Sequence, residues 1–182
     1  MIDRYSRKEL KEIWLDKNRY NIWLKIEIAA AEAMEKFKMI PKGVVKKIKA
    51  KAKIDVNKIT KLEGKVRHDV IAFLTSLIEK VGKEASFLHK GMTSSDVLDT
   101  CFNMQLKQSG LIISKDLEVL LKSIKKQALK HKYTLCIGRS HGIHAEPTTF
   151  GLKLLTFYEE FSRNHDRFCL LYTSPSPRDT NP

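Results

Sequence analysis

Apolar residues recur at helical spacing along most of the chain. A first stripe predicts one face of an amphipathic helix and consists of Ile22, Trp23, Ile26, Ala29, Ala30, Ala33 and Phe37. Pro41 and Gly43 end this helix, and the next segment predicts a basic helix over residues 44–52. Another stripe runs through Val66, Val70, Leu74, Leu77 and Val81. It predicts a helix whose first turn contains Arg67, His68 and Asp69.

The second half of the chain follows a bundle-like pattern. Residues 97–130 read as helix nearly throughout, with a core stripe of Ile113, Leu117, Leu120, Leu121, Ile124 and Ala128. Ser109 and Gly110 indicate a bend or a domain boundary within it. Residues 138–146 are predicted as a loop, and Pro147 as the first turn of another helix. We therefore predict an all-α fold with an N-terminal helical domain over residues 1–110. A truncated long-helix bundle domain is predicted to follow over residues 111–170.

The two ends of the chain carry further signals. Ser6 followed by Glu9 is typical of a capping box, which places Arg4 and Tyr5 in a turn before the first helix. Three of the five prolines fall within the last eight residues. Because a helical pattern stops there without a cap, residues 171–182 are predicted to be a non-native tail.

Composition favours a globular helical protein, with 42% hydrophobic residues, 30% charged residues, 8 glycines and 5 prolines. The net charge of +13 raises the alternative of a basic helical nucleic-acid-binding module. The lysines are instead spread along the helices, which favours a solvated surface and no nucleic-acid partner. The three cysteines are widely spaced and suggest no disulfide framework. With no membrane-spanning run, we expect a cytoplasmic protein.

Two loops contain residues suited to chemistry. Thr93 and Ser94 lie where a helix begins, so their hydroxyls and the free backbone N–H groups could bind an anion. Ordinary N-capping is the alternative reading of these hydroxyls. The segment 138–147 contains His141 and His144, and a histidine can transfer a proton near neutral pH. No third ligand of suitable type lies nearby, so we expect no metal site.

A third cluster lies at Arg67, His68 and Asp69. The aspartate could orient the imidazole ring, and the arginine could clamp an oxyanion. Local charge pairing at a solvated helix start is the alternative. His89 has no assigned role at this point.

Taken together, four segments resemble the adenylosuccinate lyase family of the fumarase/aspartase superfamily. They are Arg4-Tyr5, the Arg67-His68-Asp69 triplet, the loop around Thr93-Ser94, and residues 138–151, in that order along the chain. The resemblance extends to about residue 168. The family usually has threonine where this chain has Ser140, a change that keeps the hydroxyl.

The resemblance implies a β-elimination that releases fumarate from adenylosuccinate, giving AMP, and from the succinyl-carboxamide ribotide of purine synthesis. It implies no metal or organic cofactor. His141 matches the general acid. The substrate-binding positions are Arg4, Tyr5, Arg67, His68, Asp69, Thr93 and Ser94. The family's general base is a serine on a downstream loop beyond these residues, so the chain alone is predicted to be inactive. The full-length protein is expected to be a homotetramer that acts on a nucleotide.

Other readings stay open at this point. Another fumarate-releasing lyase of the superfamily would share the Thr93-Ser94 loop, although the residues around His141 argue against it. A lyase-derived scaffold that has lost catalysis would retain all four segments.

Overall fold

The structure, a computed structural model, describes residues 2–173. Helices dominate it, which confirms the all-α prediction, and a two-stranded sheet is an addition to that prediction. The helices are α1 (Lys8–Ile13), α2 (Asp16–Lys36), α3 (Val44–Lys51), α4 (Val56–Val66), α5 (Asp69–Val81), α6 (Ser94–Lys130) and α7 (Phe150–Thr173). The strands are β1 (Leu135–Ser140) and β2 (Ile143–Thr149). Within residues 2–173, no helix is both long and apolar enough to cross a membrane.

The described residues form two compact units, residues 2–109 and residues 110–173, and the division falls inside α6. The core of the first unit is built around an aromatic cluster. Trp23 meets the rings of Tyr20 and Phe73 edge-on, at centroid distances of 5.2 and 5.4 Å. Edge-to-face pairs at this distance are favourable because the positive ring edge faces the negative ring face. This cluster joins α2 to α5.

Polar side chains also connect elements of the first unit. The carbonyl of Ile13 lies at the end of α1, where helical carbonyls lack intrahelical partners. It accepts hydrogen bonds from Asn18 Nδ2 and Gln105 Nε2, each at 2.8 Å. Gln105 is buried on α6, so one orphan carbonyl fixes α1 against the first part of that helix.

Several predicted helix limits were wrong. The Ser6 capping box is absent, because the Ser6 hydroxyl donates to the carbonyl of Ile2 and α1 begins at Lys8 without a side-chain cap. Helix α4 was not predicted, although Asp55 caps it by accepting from the backbone N–H of Lys58. The stripe that begins at Val66 therefore belongs to two helices, since α4 ends there.

In the second unit, the segment predicted as a loop is a β-hairpin. Pro147 lies in β2 opposite Ile137, so its placement in the first turn of a helix was wrong. Proline is accepted here because a two-stranded sheet leaves one side of each strand unpaired. Residues 174–182, most of the predicted non-native tail, lie outside the described residues, and the helix α7 extends to Thr173.

The start of α7 packs directly on the end of α6. The backbone N–H groups of Phe150 and Gly151 donate to the carbonyls of Thr134 and His131, at 2.8 and 3.0 Å. The contact is so close that a Cβ at Gly151 would lie 2.5 Å from the carbonyl oxygen of Ala128 and 2.7 Å from the Cα of Lys132. Glycine is therefore required at position 151.

Gly151→Ala is expected to destabilise the second unit by about 1–3 kcal/mol, because backbone atoms cannot yield as a flexible side chain can. Hydrogen exchange of the α7 amides would measure this loss. Gly64→Ala is the matched control, since nothing lies within 4 Å of its added Cβ in α4. It should stabilise its helix by about 0.5–1 kcal/mol. Equal protection of α7 in Gly151→Ala and the unchanged chain would contradict the close packing.

Candidate active site

Arg4 and Tyr5 lie in a single 3-10 turn, Asp3–Tyr5, before α1. The Arg4 guanidinium lies 4.8 Å from the centroid of the Tyr5 ring. Both side chains are exposed. The turn thus presents a cation and a phenol together at the surface of the first unit, a pair able to bind an anionic group.

Arg67, His68 and Asp69 form the junction between α4 and α5. Arg67 ends α4 in the left-handed conformation, with φ of 56°. His68 precedes α5 as its N-cap, and its Nδ1 accepts from the backbone N–H of Ile71 at 3.4 Å. Asp69 Oδ1 accepts from the N–H of Val70 at 2.7 Å. An Nδ1 that accepts leaves the proton of a neutral ring on Nε2.

Thr93 and Ser94 lie at the N-terminus of α6, whose first residue is Ser94. The Asp96 carboxylate accepts from the Thr93 backbone N–H at 2.8 Å, which is one half of a capping box. The capping bond therefore comes from Asp96, and the Thr93 side chain is exposed. Hydroxyls beside a helix N-terminus are well placed to bind a carboxylate, because the helix dipole is positive there.

The segment around His141 is a bulged hairpin. Gly138 on β1 faces two residues of β2, because Ile137 pairs with Pro147 while Arg139 pairs with His144. A Cβ at Gly138 would lie 2.8 Å from the carbonyl oxygen of Glu146, so this bulge needs glycine. The bulge fixes the register of the strands, and with it the position of the turn.

His141 and Gly142 form the two-residue turn of this hairpin. Their φ values are +50° and +75°, which is the pattern of a type I′ turn. This turn projects the His141 imidazole from the exposed tip of the hairpin. A ring held there can donate or accept a proton from a bound molecule.

Sequence reasoning missed a buried pair in the first unit. Glu27, on α2, is 0% exposed, and both of its carboxylate oxygens contact His89. Oε2 accepts from the His89 backbone N–H at 2.6 Å, and Oε1 lies 2.7 Å from the ring Nδ1. The sequence contained one indication of this pair, because Glu27 lies four residues from Trp23 on the apolar face of the helix.

Strained backbone marks the same segments. Among the described residues, four that are not glycine have positive φ, and three of them are Arg67, His89 and His141. Such conformations cost of order 1 kcal/mol or more outside glycine, and they concentrate at functional sites. The first two lie in the first unit and the third in the second unit. Hydrogen bonds from the backbone N–H groups of Arg67 and His89, to Glu63 and Glu27, hold the first two in place.

A lyase family profile matches residues 3–175. The chain belongs to this lyase family. Its similarity to the adenylosuccinate lyases, predicted from four motifs, is confirmed by two of these relatives. The chain is 49% identical to "Adenylosuccinate lyase" of Bacillus subtilis over 168 residues, and 48% identical to that of Staphylococcus saprophyticus over 168 residues. Each match covers 92% of this chain, which spans only 39% of the length of either relative.

Two solved structures share the fold of this chain. The 3-carboxy-cis,cis-muconate lactonizing enzyme from Pseudomonas putida is 28% identical with a TM-score of 0.86, covering 94% of this chain and 41% of its own. A fumarate lyase from Mesorhizobium sp. BNC1 has a TM-score of 0.84 over 90% of this chain and 40% of its own. Its 24% identity supports the fold alone.

Proposed function

We propose that this chain forms the N-terminal part of an adenylosuccinate lyase, which eliminates fumarate from adenylosuccinate and from the succinyl-carboxamide ribotide. The observation that carries the proposal is the 49% identity over 168 residues to a relative of that name. The position of His141 on an exposed turn also supports the proposal, because an imidazole there can transfer a proton to a bound substrate.

The reaction needs two proton transfers. A base removes a proton from the succinyl carbon beside a carboxylate, the electron pair forms the new double bond, and the carbon–nitrogen bond breaks. An acid protonates the departing nitrogen, and fumarate and AMP are released. His141 is proposed as this acid, because a protonated imidazole can neutralise the nitrogen as its bond breaks. The family resemblance implies that the base is a serine downstream of these residues.

The other proposed residues hold the substrate. Thr93 and Ser94 would bind the succinyl carboxylates, since their hydroxyls lie at the positive end of α6. Arg4 and Tyr5 would bind the phosphate end of the nucleotide. Arg67, His68 and Asp69 would contact the ligand, and His68 would present its Nε2–H, because its Nδ1 is occupied by the α5 N-cap.

The assembly is proposed as a cytoplasmic homotetramer that needs no metal or organic cofactor. Exposed apolar residues of the second unit support association between copies, and they include Leu111, Val119, Leu129, Leu152 and Leu170. Large apolar side chains left exposed in this number are typical of interaction surfaces.

A chimera tests the proposal. Residues 1–168 of this chain would be joined to the remaining C-terminal part of the Bacillus subtilis relative, which would supply the missing base. We expect this chimera to release fumarate from adenylosuccinate, followed by the absorbance of the product. The 182-residue chain alone should release none above background, because it has an acid and no base.

Two outcomes would contradict the proposal. Turnover by the 182-residue chain alone, at a rate near that of a complete enzyme, would show that the base is not downstream. A folded tetrameric chimera that releases fumarate from argininosuccinate but not from adenylosuccinate would assign the chain to a different fumarate-releasing lyase.

A further inference from the structure

Glu27 is an acidic residue on an apolar helix face. It follows Trp23 by one turn of α2 and precedes Ala31 by another, and all three side chains are 0% exposed. Burying a carboxylate is costly unless hydrogen bonds satisfy it. Its partner His89 belongs to the segment that leads into α6, 62 residues further along the chain.

The contact between Glu27 and His89 links the tautomer of the ring to the charge of the carboxylate. Opposite an ionised carboxylate, which can only accept hydrogen bonds, the His89 Nδ1 that faces Glu27 Oε1 at 2.7 Å carries a proton. The His89 side chain keeps 20% of its surface exposed, so the ring lies between the core and the surface.

The same carboxylate also holds the backbone. His89 has φ of +59°, a left-handed conformation that a residue with a Cβ rarely adopts. Glu27 Oε2 stabilises it by accepting the His89 N–H at 2.6 Å. Four residues later, Thr93 immediately precedes α6, so the anchored residue sets where the Thr93 and Ser94 hydroxyls lie.

We propose that Glu27 is a positioning residue, which orients His89 in its Nδ1-protonated form and anchors the loop that carries Thr93 and Ser94. The importance of that loop for a substrate rests on the function proposed above. The orientation of the His89 ring and the order of the loop do not depend on that function. The positioning role of Glu27 and the proposed function can therefore fail separately.

Glu27→Gln is the most informative variant, because it keeps the shape of the side chain and reverses the direction of the hydrogen bond to His89 Nδ1. The glutamine Oε1 can accept the His89 backbone N–H, while its amide NH₂ must donate to the ring. His89 Nδ1 would then accept, and the ring proton would move to Nε2. Ring ¹⁵N shifts in histidine-labelled 182-residue chain would report this exchange, with His89 assigned by its loss in His89→Asn.

The expected result is a protonated Nδ1 in the unchanged chain and an unprotonated Nδ1 in Glu27→Gln. An unprotonated Nδ1 in the unchanged chain, or one tautomer in both proteins, would overturn the orienting role. Glu35→Gln is the matched control, because Glu35 also accepts two backbone N–H groups, those of Gly43 and Val45. It should leave the His89 shifts as they are.

The anchoring role is tested by hydrogen exchange of the amides at 89–94. Glu27→Ala loses both hydrogen bonds, and these amides should exchange at least about tenfold faster, as expected for loss of a hydrogen bond to a charged group. Unchanged exchange would overturn the anchoring role. If Glu27→Ala does not fold, Glu27→Gln still decides the question through its ring shifts.

The chimera separates this proposal from the proposed function. Glu27→Gln in the active chimera should lower kcat/KM by roughly tenfold to a hundredfold, the cost of a misplaced binding group. Normal turnover with a reversed tautomer would overturn the link to catalysis. A chimera that is inactive without any substitution would contradict the proposed function alone. The ¹⁵N shifts of the His89 ring would still test the orienting role of Glu27.

Discussion

His141→Asn in the chimera is expected to lower kcat by about 10²–10⁴-fold, the usual contribution of a general acid. The hairpin should survive the change, because Asn-Gly is a strongly favoured pair for a type I′ turn and residue 141 has φ of +50°. Asparagine therefore removes the imidazole while keeping the backbone that carries it. Steady-state fumarate release would give kcat and KM, and only kcat should fall steeply.

His141→Gly provides the control for this result. Glycine also accepts the positive φ of the turn, and it leaves space where the ring was. Added imidazole is expected to restore part of the activity to this variant, because it can deliver the missing proton. Near-normal kcat in His141→Asn, in a chimera that assembles as the unsubstituted one does, would remove His141 from the acid role.

Periodicity predicted the long helices because each has an apolar face. It did not predict α4, and it extended the stripe of α5 back across the junction at Arg67. A left-handed residue there separates two helices without glycine or proline, so the sequence contains no conventional break. Local residue preferences cannot reveal a conformation that neighbouring hydrogen bonds impose.

The hairpin was missed for a related reason. Pro147 normally favours a helix start, and His141-Gly142 is not among the pairs that typically predict a two-residue hairpin turn. The bulge at Gly138 depends on the approach of the Glu146 carbonyl, which is a contact across the sheet. The strands are thus determined by pairing rather than by the pattern within either segment.

The candidate site was only partly accessible to sequence reasoning. Its residues were selected by family resemblance, and their roles remain predictions. The pair of Glu27 and His89 was missed, because a partner 62 residues away cannot be inferred from local spacing. A charged residue four positions from Trp23 on an apolar stripe nevertheless indicated a buried charge. Such charges are rare without a partner, so a partner could have been expected.

Trp23→Ala is expected to destabilise the first unit by about 3–5 kcal/mol, because it removes a large side chain from a packed core. Trp23 is 0% exposed and lies edge-on to Tyr20 and Phe73, so its loss leaves a cavity between α2 and α5. Hydrogen exchange of the α2 and α5 amides would measure the effect.

Trp14→Ala is the matched control: Trp14 is 38% exposed and has one ring neighbour at 6.1 Å, so its removal should cost about 1 kcal/mol or less. Equal costs for the two tryptophans would contradict the assignment of Trp23 to the centre of the core. Because Glu27 lies one turn along from Trp23, collapse of this cavity should also loosen the amides around His89, which Trp14→Ala should leave protected.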